Sequence, residues 1–178
     1  MLGKRRKRKH RIRLSIYLYS SSIRSIIMRS TSKLGLDIIK KYEGLRLMSY
    51  LCPAGIPTIG YGSTRYPNGK KVLLGEKLNN ETEATSLLLA TMKPYEDAVN
   101  RHLPNLNQCQ FDALVSFCYN VGTGAFIKST LLRKAKANAN DPSIVDEFSK
   151  WVRGGGKVLP GLVTRRKDEA RLYFSLCK

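Results

Sequence analysis

Five glycines, at positions 55, 60, 62, 69 and 75, punctuate one short stretch of this chain, while nearly everything else from position 34 onward reads as helix. Glycines at that density break strands into short pieces, so any sheet is small and confined to this region. Thr58-Ile59 and Lys71-Val72-Leu73 supply β-prone pieces, and Pro67-Asn68-Gly69 supplies a turn. Ahead of it, Leu34, Ile38, Ile39 and Tyr42 recur at helical spacing, and Gly44 stands where a helix stops, which puts Glu43 on a last turn. Behind it, Asn80 can cap a helix that has Glu83 three residues on. The pattern predicts helices over about 81–101 with a break near Pro94, 107–120 starting from Asn107, 124–137, 143–152 and 163–176, separated by Gly122 and Gly154-Gly155-Gly156. A helix, a small hairpin sheet and a helical remainder make an α+β chain with its strands segregated near the N-terminal end.

The 178 residues suffice for one sizeable core. The net charge of +19 is uneven: residues 1–33 hold 11 of the 32 Lys and Arg and none of the 13 acids, leaving +8 for the rest. Residues 1–33 read as a disordered basic extension, an addition to a domain that starts by position 34 or as early as Met28. Between Arg13 and Arg24 lie only ten residues, four of them serine, about half of what a helix needs to cross a bilayer, so no transmembrane helix is expected. Nor does a signal-peptide cleavage site follow the basic run from Lys4 to Lys9. Such charge favours polyanionic partners, among which nucleic acid, anionic lipid and the acidic polymers of a bacterial envelope are equivalent on charge alone. Cys52, Cys109, Cys118 and Cys177 form no CxxC pair, and His10 and His102 are far from them in sequence, so no metal site is expected. In a domain of this size the cysteines read as free thiols in the core rather than disulfides.

Glu43 is the only acid between Asp37 and Glu76. Nine positions later comes Cys52, and six beyond that Thr58, which opens Thr-Ile-Gly-Tyr-Gly. The order Glu, eight residues, Cys, five residues, Thr resembles the phage lysozymes of glycoside hydrolase family 24, which carry Glu, then Asp or Cys, then Thr at this spacing. Two further stretches extend the likeness across residues 34 to 177. Gln110-Phe-Asp-Ala-Leu-Val-Ser-Phe-Cys-Tyr-Asn-Val-Gly122 is similar to the family's long central helix. Phe148-Ser-Lys-Trp151 and Gly155-Gly-Lys-Val-Leu-Pro-Gly-Leu-Val-Thr-Arg-Arg166 resemble its closing segments.

The resemblance implies a lysozyme-like fold, with a small N-terminal β-hairpin lobe, a larger helical lobe and the active-site cleft between them. It implies an endolysin that hydrolyses the β-1,4 bonds between N-acetylmuramic acid and N-acetylglucosamine in bacterial peptidoglycan, made in the host cytoplasm and acting on the wall in the periplasm. Cleaving such a bond needs a protonated carboxyl at the leaving oxygen, the part that falls to Glu43, and a water on the opposite face, oriented by Cys52 and Thr58. An arginine late in the chain reaches the catalytic glutamate in related enzymes; Arg165 and Arg166 both match by position. Tyr61 and Asn120, with Phe117 and Tyr119, are candidates to line the sugar cleft, although the helical spacing of Phe111, Leu114, Val115 and Phe117 is more often that of a core, and core is the leading reading for all but Asn120, Trp151 included. No cofactor or metal is implied. The chain is expected to act as a monomer with a free Cys52 and to be active without reduction, there being no cysteine among residues 1–51 to exchange with it.

Two other readings are open at this level. A lytic transglycosylase would use the same acid and let the sugar's own hydroxyl close an anhydro ring, needing no water-positioning group. A cationic envelope-binding protein would act through residues 4–13 without catalysis. A division of labour joins the last to the first, with the basic tail holding the enzyme on anionic lipopolysaccharide or lipid. Nothing in residues 34–178 resembles a module that reads nucleic-acid bases, so no specific nucleic-acid partner is expected.

Overall fold

The architecture is set by one helix that is buried on every side. In the computed structural model, which describes residues 28–177, ten consecutive side chains from Cys109 to Cys118 are buried on α3 (Gln108–Val121), among them the polar Gln110, Asp112 and Ser116. A helix buried all round has to be surrounded. It is packed against α1 (Lys33–Glu43), α2 (Glu81–His102) and α7 (Pro160–Tyr173). The helix starts at Asn107, whose side chain accepts from the Gln110 amide while the Gln110 side chain accepts from the Asn107 amide, a reciprocal cap.

Between α1 and α2 lies the small lobe. β1 (Arg46–Leu51) and β2 (Pro57–Gly60) pair antiparallel, Tyr50 opposite Thr58 and Leu51 opposite Pro57. Single bridges join Met48 to Lys77 and Arg65 to Lys71, so the expected Lys71-Val72-Leu73 strand is reduced to one bridging residue. On the far side of α3, α4 (Thr123–Lys128), α5 (Thr130–Ala137) and α6 (Ile144–Ser149) complete the helical lobe. Phe117 at its centre meets Phe126, Phe148 and Trp151 edge to face, with ring centroids 6.4, 5.5 and 5.4 Å away.

Several boundaries differ from the sequence expectation. α2 runs unbroken through Pro94: Ala90, whose carbonyl loses its donor there, is an exposed residue, which leaves that end of the gap to water. The helix expected over 124–137 is two, divided at Ser129, whose hydroxyl accepts from the Leu132 amide and starts the second. The Gly154-Gly155-Gly156 break is the turn of a second hairpin, β3 (Arg153–Gly154) with β4 (Lys157–Val158), where Gly155 and Gly156 have φ of 56° and 79°. α7 begins at Pro160, three residues before the predicted start, because proline is well suited to a first helical position.

The cysteine expectation is corrected. Cys109 and Cys177 are disulfide-bonded, with Cα atoms 5.5 Å apart, while Cys52 and Cys118 are free. Sixty-eight residues separate the bonded pair, and the end of the chain is brought back onto the start of α3.

The contacts that fix α1 begin ahead of position 34. The Arg29 amide donates to Asn100, the Thr31 amide to Glu96 and the Ser32 amide to the buried Asp112, so Arg29–Ser32 are tied to the helical lobe. The basic run of residues 4–9 and the apolar piece after it lie outside the described residues. Among the described residues no helix is long and apolar enough to cross a membrane.

Candidate functional site

Glu43 is the final residue of α1, because Gly44, at φ 71°, ends the helix with its amide on the Lys40 carbonyl. Its side chain is 20% exposed, and Oε1 accepts from Nη1 of Arg165 at 2.7 Å. The choice left open between the two late arginines is thereby resolved by geometry. Arg166 turns inward and is 1% exposed, with Nη2 donating to the Asn120 side chain at 2.8 Å and its guanidinium 4.9 Å above the Phe117 ring. Burial lowers Arg166 to about 10, which leaves it a cation at neutral pH.

Arg165 is fixed on three sides. Besides Glu43, Nε donates to Glu169 at 3.0 Å and Nη2 to the Ser116 carbonyl at 3.2 Å, and its guanidinium stands 5.5 Å over the Tyr42 ring. Glu169 is fully buried and also accepts from the Ser116 hydroxyl at 2.7 Å. Neither Ser116 nor Glu169 was singled out in the sequence, though an acid four residues after Arg165 is the spacing at which two helical side chains meet.

On the hairpin side Glu43 is faced by a glycine. Gly62 has φ +94°, and a β-carbon there would stand 3.3 Å from Oε2 of Glu43, so both the conformation and the approach suit glycine. Tyr119 roofs the same spot, donating to the Tyr61 carbonyl at 2.8 Å and stacking on Tyr95 with ring centroids 5.0 Å apart. Burial holds the Tyr119 phenol well above its ordinary value, with the Glu43 charge adding to the effect, so it stays a neutral donor.

Cys52 and Thr58 come together at the turn of the first hairpin. Thr58 is buried and donates to the Ile56 carbonyl at 2.9 Å. The amides of Ile56 and Ala54 face the Cys52 sulfur and hold its thiol below the ordinary 9.0, and Thr58 acts in the same direction against slight desolvation. Tyr50, opposite Thr58 in the sheet, is raised chiefly by burial and then by the charges of both Glu43 and Cys52, which puts it between the two.

Tyr61 requires a correction as a sugar-cleft side chain: it is 4% exposed and its hydroxyl donates to Glu81 at 2.9 Å. It borders the site only through its carbonyl. It follows directly on β2, where Thr58, Ile59 and Gly60 are buried in succession, which the alternation of residue types did not reveal. Asn120 is exposed at the end of α3, and its Oδ1 is already occupied by Arg166.

A cleft of 310 Å³ leads away from Gly62 and Tyr119. One wall is the hairpin-lobe segment Ser63 to Pro67; the other is Ala90, Thr91, Pro94 and Tyr95 of α2. The Glu43 carboxyl therefore stands where the two lobes meet, at the head of a groove with polar and aromatic walls. Among the described residues no group of three or more His, Cys, Asp or Glu is placed to hold a metal ion.

A hairpin lobe set against a helical lobe, with one acid at their junction gripped by a buried arginine, defines a lysozyme-like α+β protein. Residues 40–169 match the phage lysozyme family, and the chain belongs to that family. The endolysin of Bacillus phage B103 is 39% identical over 145 residues, a match that covers 81% of this chain and 54% of that protein. The chain thus spans about half the length of the Bacillus phage relatives it matches, 54% and 55%. Among solved structures, the endolysin from Escherichia coli O157:H7 phage FAHEc1 is 38% identical with a TM-score of 0.74, covering 82% of this chain and 94% of that one. The muramidase domain of SpmX from Asticaccaulis excentricus is 31% identical with a TM-score of 0.72, covering 83% and 99%.

Proposed function

We propose that the chain is an endolysin, a hydrolase that cuts the β-1,4 bonds between N-acetylmuramic acid and N-acetylglucosamine in bacterial peptidoglycan. The observation that carries this reading is the partly exposed Glu43 carboxyl, held by Arg165 at the junction of the lobes and beside Gly62 at the head of the cleft. Glu43 donates its proton to the glycosidic oxygen, and the leaving sugar departs with that oxygen as a hydroxyl. Covering the carboxyl with substrate excludes water and favours its protonated form. A water hydrogen-bonded to Thr58 and to Cys52 in its thiolate form attacks the anomeric carbon from the opposite face, the thiolate receives its proton to become a thiol, and the product anomer is inverted. Arg165 offsets the charge left on Glu43 after the transfer. Tyr119 and Asn120 border the sugars, whereas Arg166 acts from beneath through Asn120.

Hydrolysis is favoured over transglycosylation because the hairpin turn keeps two hydrogen-bonding groups for a water, which an internal attack by the sugar's own hydroxyl does not need. The products distinguish the two. Mass spectrometry of digested murein is expected to find reducing-end N-acetylmuramic acid; 1,6-anhydro sugars as the sole ends would overturn the hydrolytic assignment.

The enzyme is further proposed to act as a monomer, to be made in the host cytoplasm and to reach the wall at lysis. Residues 1–33, with 11 positive charges and no acid, hold it on anionic lipopolysaccharide or lipid. Deleting residues 1–27 is then expected to reduce killing of intact Gram-negative cells and to spare hydrolysis of isolated peptidoglycan; equal loss of both would reject this division of labour.

A further inference from the structure

We propose that Glu169 is a positioning residue for this reaction: a buried carboxylate that pins Arg165 against Glu43, offsets part of its charge and so sets the pH at which Glu43 loses its proton. The inference rests on the reading of Glu43 as the acid.

The Arg165 guanidinium bridges two carboxylates, Glu43 at 2.7 Å through Nη1 and Glu169 at 3.0 Å through Nε, while Nη2 is tied to the Ser116 carbonyl at 3.2 Å. It has no freedom to follow Glu43 elsewhere, being 3% exposed. Glu169 is itself held by the Ser116 hydroxyl at 2.7 Å and lies 3.1 Å from Nε of Arg166. With both carboxylates ionised, two cations face two anions. When Glu43 takes up a proton, one positive charge is left in excess. Without the charge on Glu169, two guanidiniums would face Glu43 alone, and its ionised form would be favoured further.

The other groups around this pair narrow what can titrate. Glu43 is faced by Tyr119 from α3, Tyr95 from α2, Tyr50 from β1 and Tyr42 on its own helix, and burial holds all four phenols above their ordinary value. Glu169 is faced by Ser116 from α3 and by Arg165 and Arg166 on its own helix; burial raises its carboxyl and the two guanidiniums oppose that only in part, while their contacts at 3.0 and 3.1 Å keep it paired as an anion. Cys52 is the remaining group near Glu43 that titrates, so a readout specific to Glu43 is required.

Glu169→Gln keeps the shape and an oxygen for Arg165 and removes the charge. The pH profile of peptidoglycan hydrolysis is measured together with the ¹³C titration of the Glu43 carboxyl and with Tm. The expected result is that the alkaline limb and the Glu43 titration both move to lower pH by about half a unit or more. Glu169→Asp, which keeps the charge but withdraws it by one methylene, moves them the same way by less, and serves if the glutamine variant does not fold. An unmoved limb and Glu43 titration in the folded variant, whatever the change in Tm, overturns the proposal and leaves Glu169 a merely structural residue. Glu43→Gln, assayed in parallel, separates the two claims: its activity reports on the acid, and the Glu43 titration reports on Glu169.

Discussion

Gly62 shows how far one residue can decide the site. Its φ of +94° is a region that other residues enter at a cost of about 1–3 kcal/mol, and its α-carbon is where the Glu43 carboxyl comes to rest. Gly62→Ala is expected to lose stability in that range and at least about tenfold in activity, since the new methyl meets Oε2 of Glu43 at 3.3 Å. Thermal denaturation beside a turbidity assay checks both. Glu43, Cys52 and Thr58 could be picked out as candidates because their spacing resembles that of the family and falls within one local stretch, a helix end and a short hairpin. The partner of Glu43 could not, because which of Arg165 and Arg166 faces the cleft depends on the phase of α7. Each residue turns a helix by 100°, so a helix start misjudged by three residues leaves the facing side chain undetermined. Ser116 and Glu169 were missed for a related reason: a serine and a glutamate on two helices far apart in sequence become a unit only once those helices pack.

At the scale of elements, the site depends on how α1 is held to α7. Adjacent residues of α7 divide the work, Glu169 inward to Arg165 and Asp168 outward to α1. Asp168 accepts from Lys41 and from the Tyr42 hydroxyl, each at 2.6 Å. Lys41 first, then Tyr42, hold its carboxyl below the ordinary 3.8. A carboxyl lowered by folding contributes stability that is present above 3.8 and is lost as pH falls through the still lower value of the folded state. Asp168→Asn is accordingly expected to lower Tm at neutral pH by roughly 2–4 °C, and the gap to the parent should close as the pH is taken below that range. Activity should fall severalfold, because Glu43 follows Tyr42 by one residue and its helix is no longer clamped. A Tm gap that widens in acid would contradict the assignment. Helix existence and type were legible here, while the Pro94 break, the undivided 124–137 helix and the glycine run were misread. In each case tertiary surroundings overrode a local signal: an exposed Ala90, a serine cap and a turn between two paired residues at either side.

For the molecule as a whole, the Cys109–Cys177 bond closes a long loop around the helical lobe. Crosslinks of this kind contribute on the order of 2–4 kcal/mol, largely by restricting the unfolded chain. Cys177→Ser, or reduction, is therefore expected to lower the denaturation midpoint while leaving activity at 25 °C unraised, because Cys52 is outside the bond and free before any reductant is added. Activity that rose many-fold on reduction would show Cys52 to be blocked instead. The α+β division and the central helix were visible in the glycine distribution and in the helical spacing of Phe111, Leu114, Val115 and Phe117. The disulfide was not, since four unpatterned cysteines say nothing about which two helix ends will meet.

All three scales converge on one carboxyl group. Glu43→Gln preserves size and hydrogen-bonding capacity and removes the transferable proton, so its effect on the digestion of purified peptidoglycan, measured on protein shown by circular dichroism to be folded, is the most direct test. A loss of about 100-fold or more is the predicted result. Clearing of the murein at the parent's rate would contradict the account.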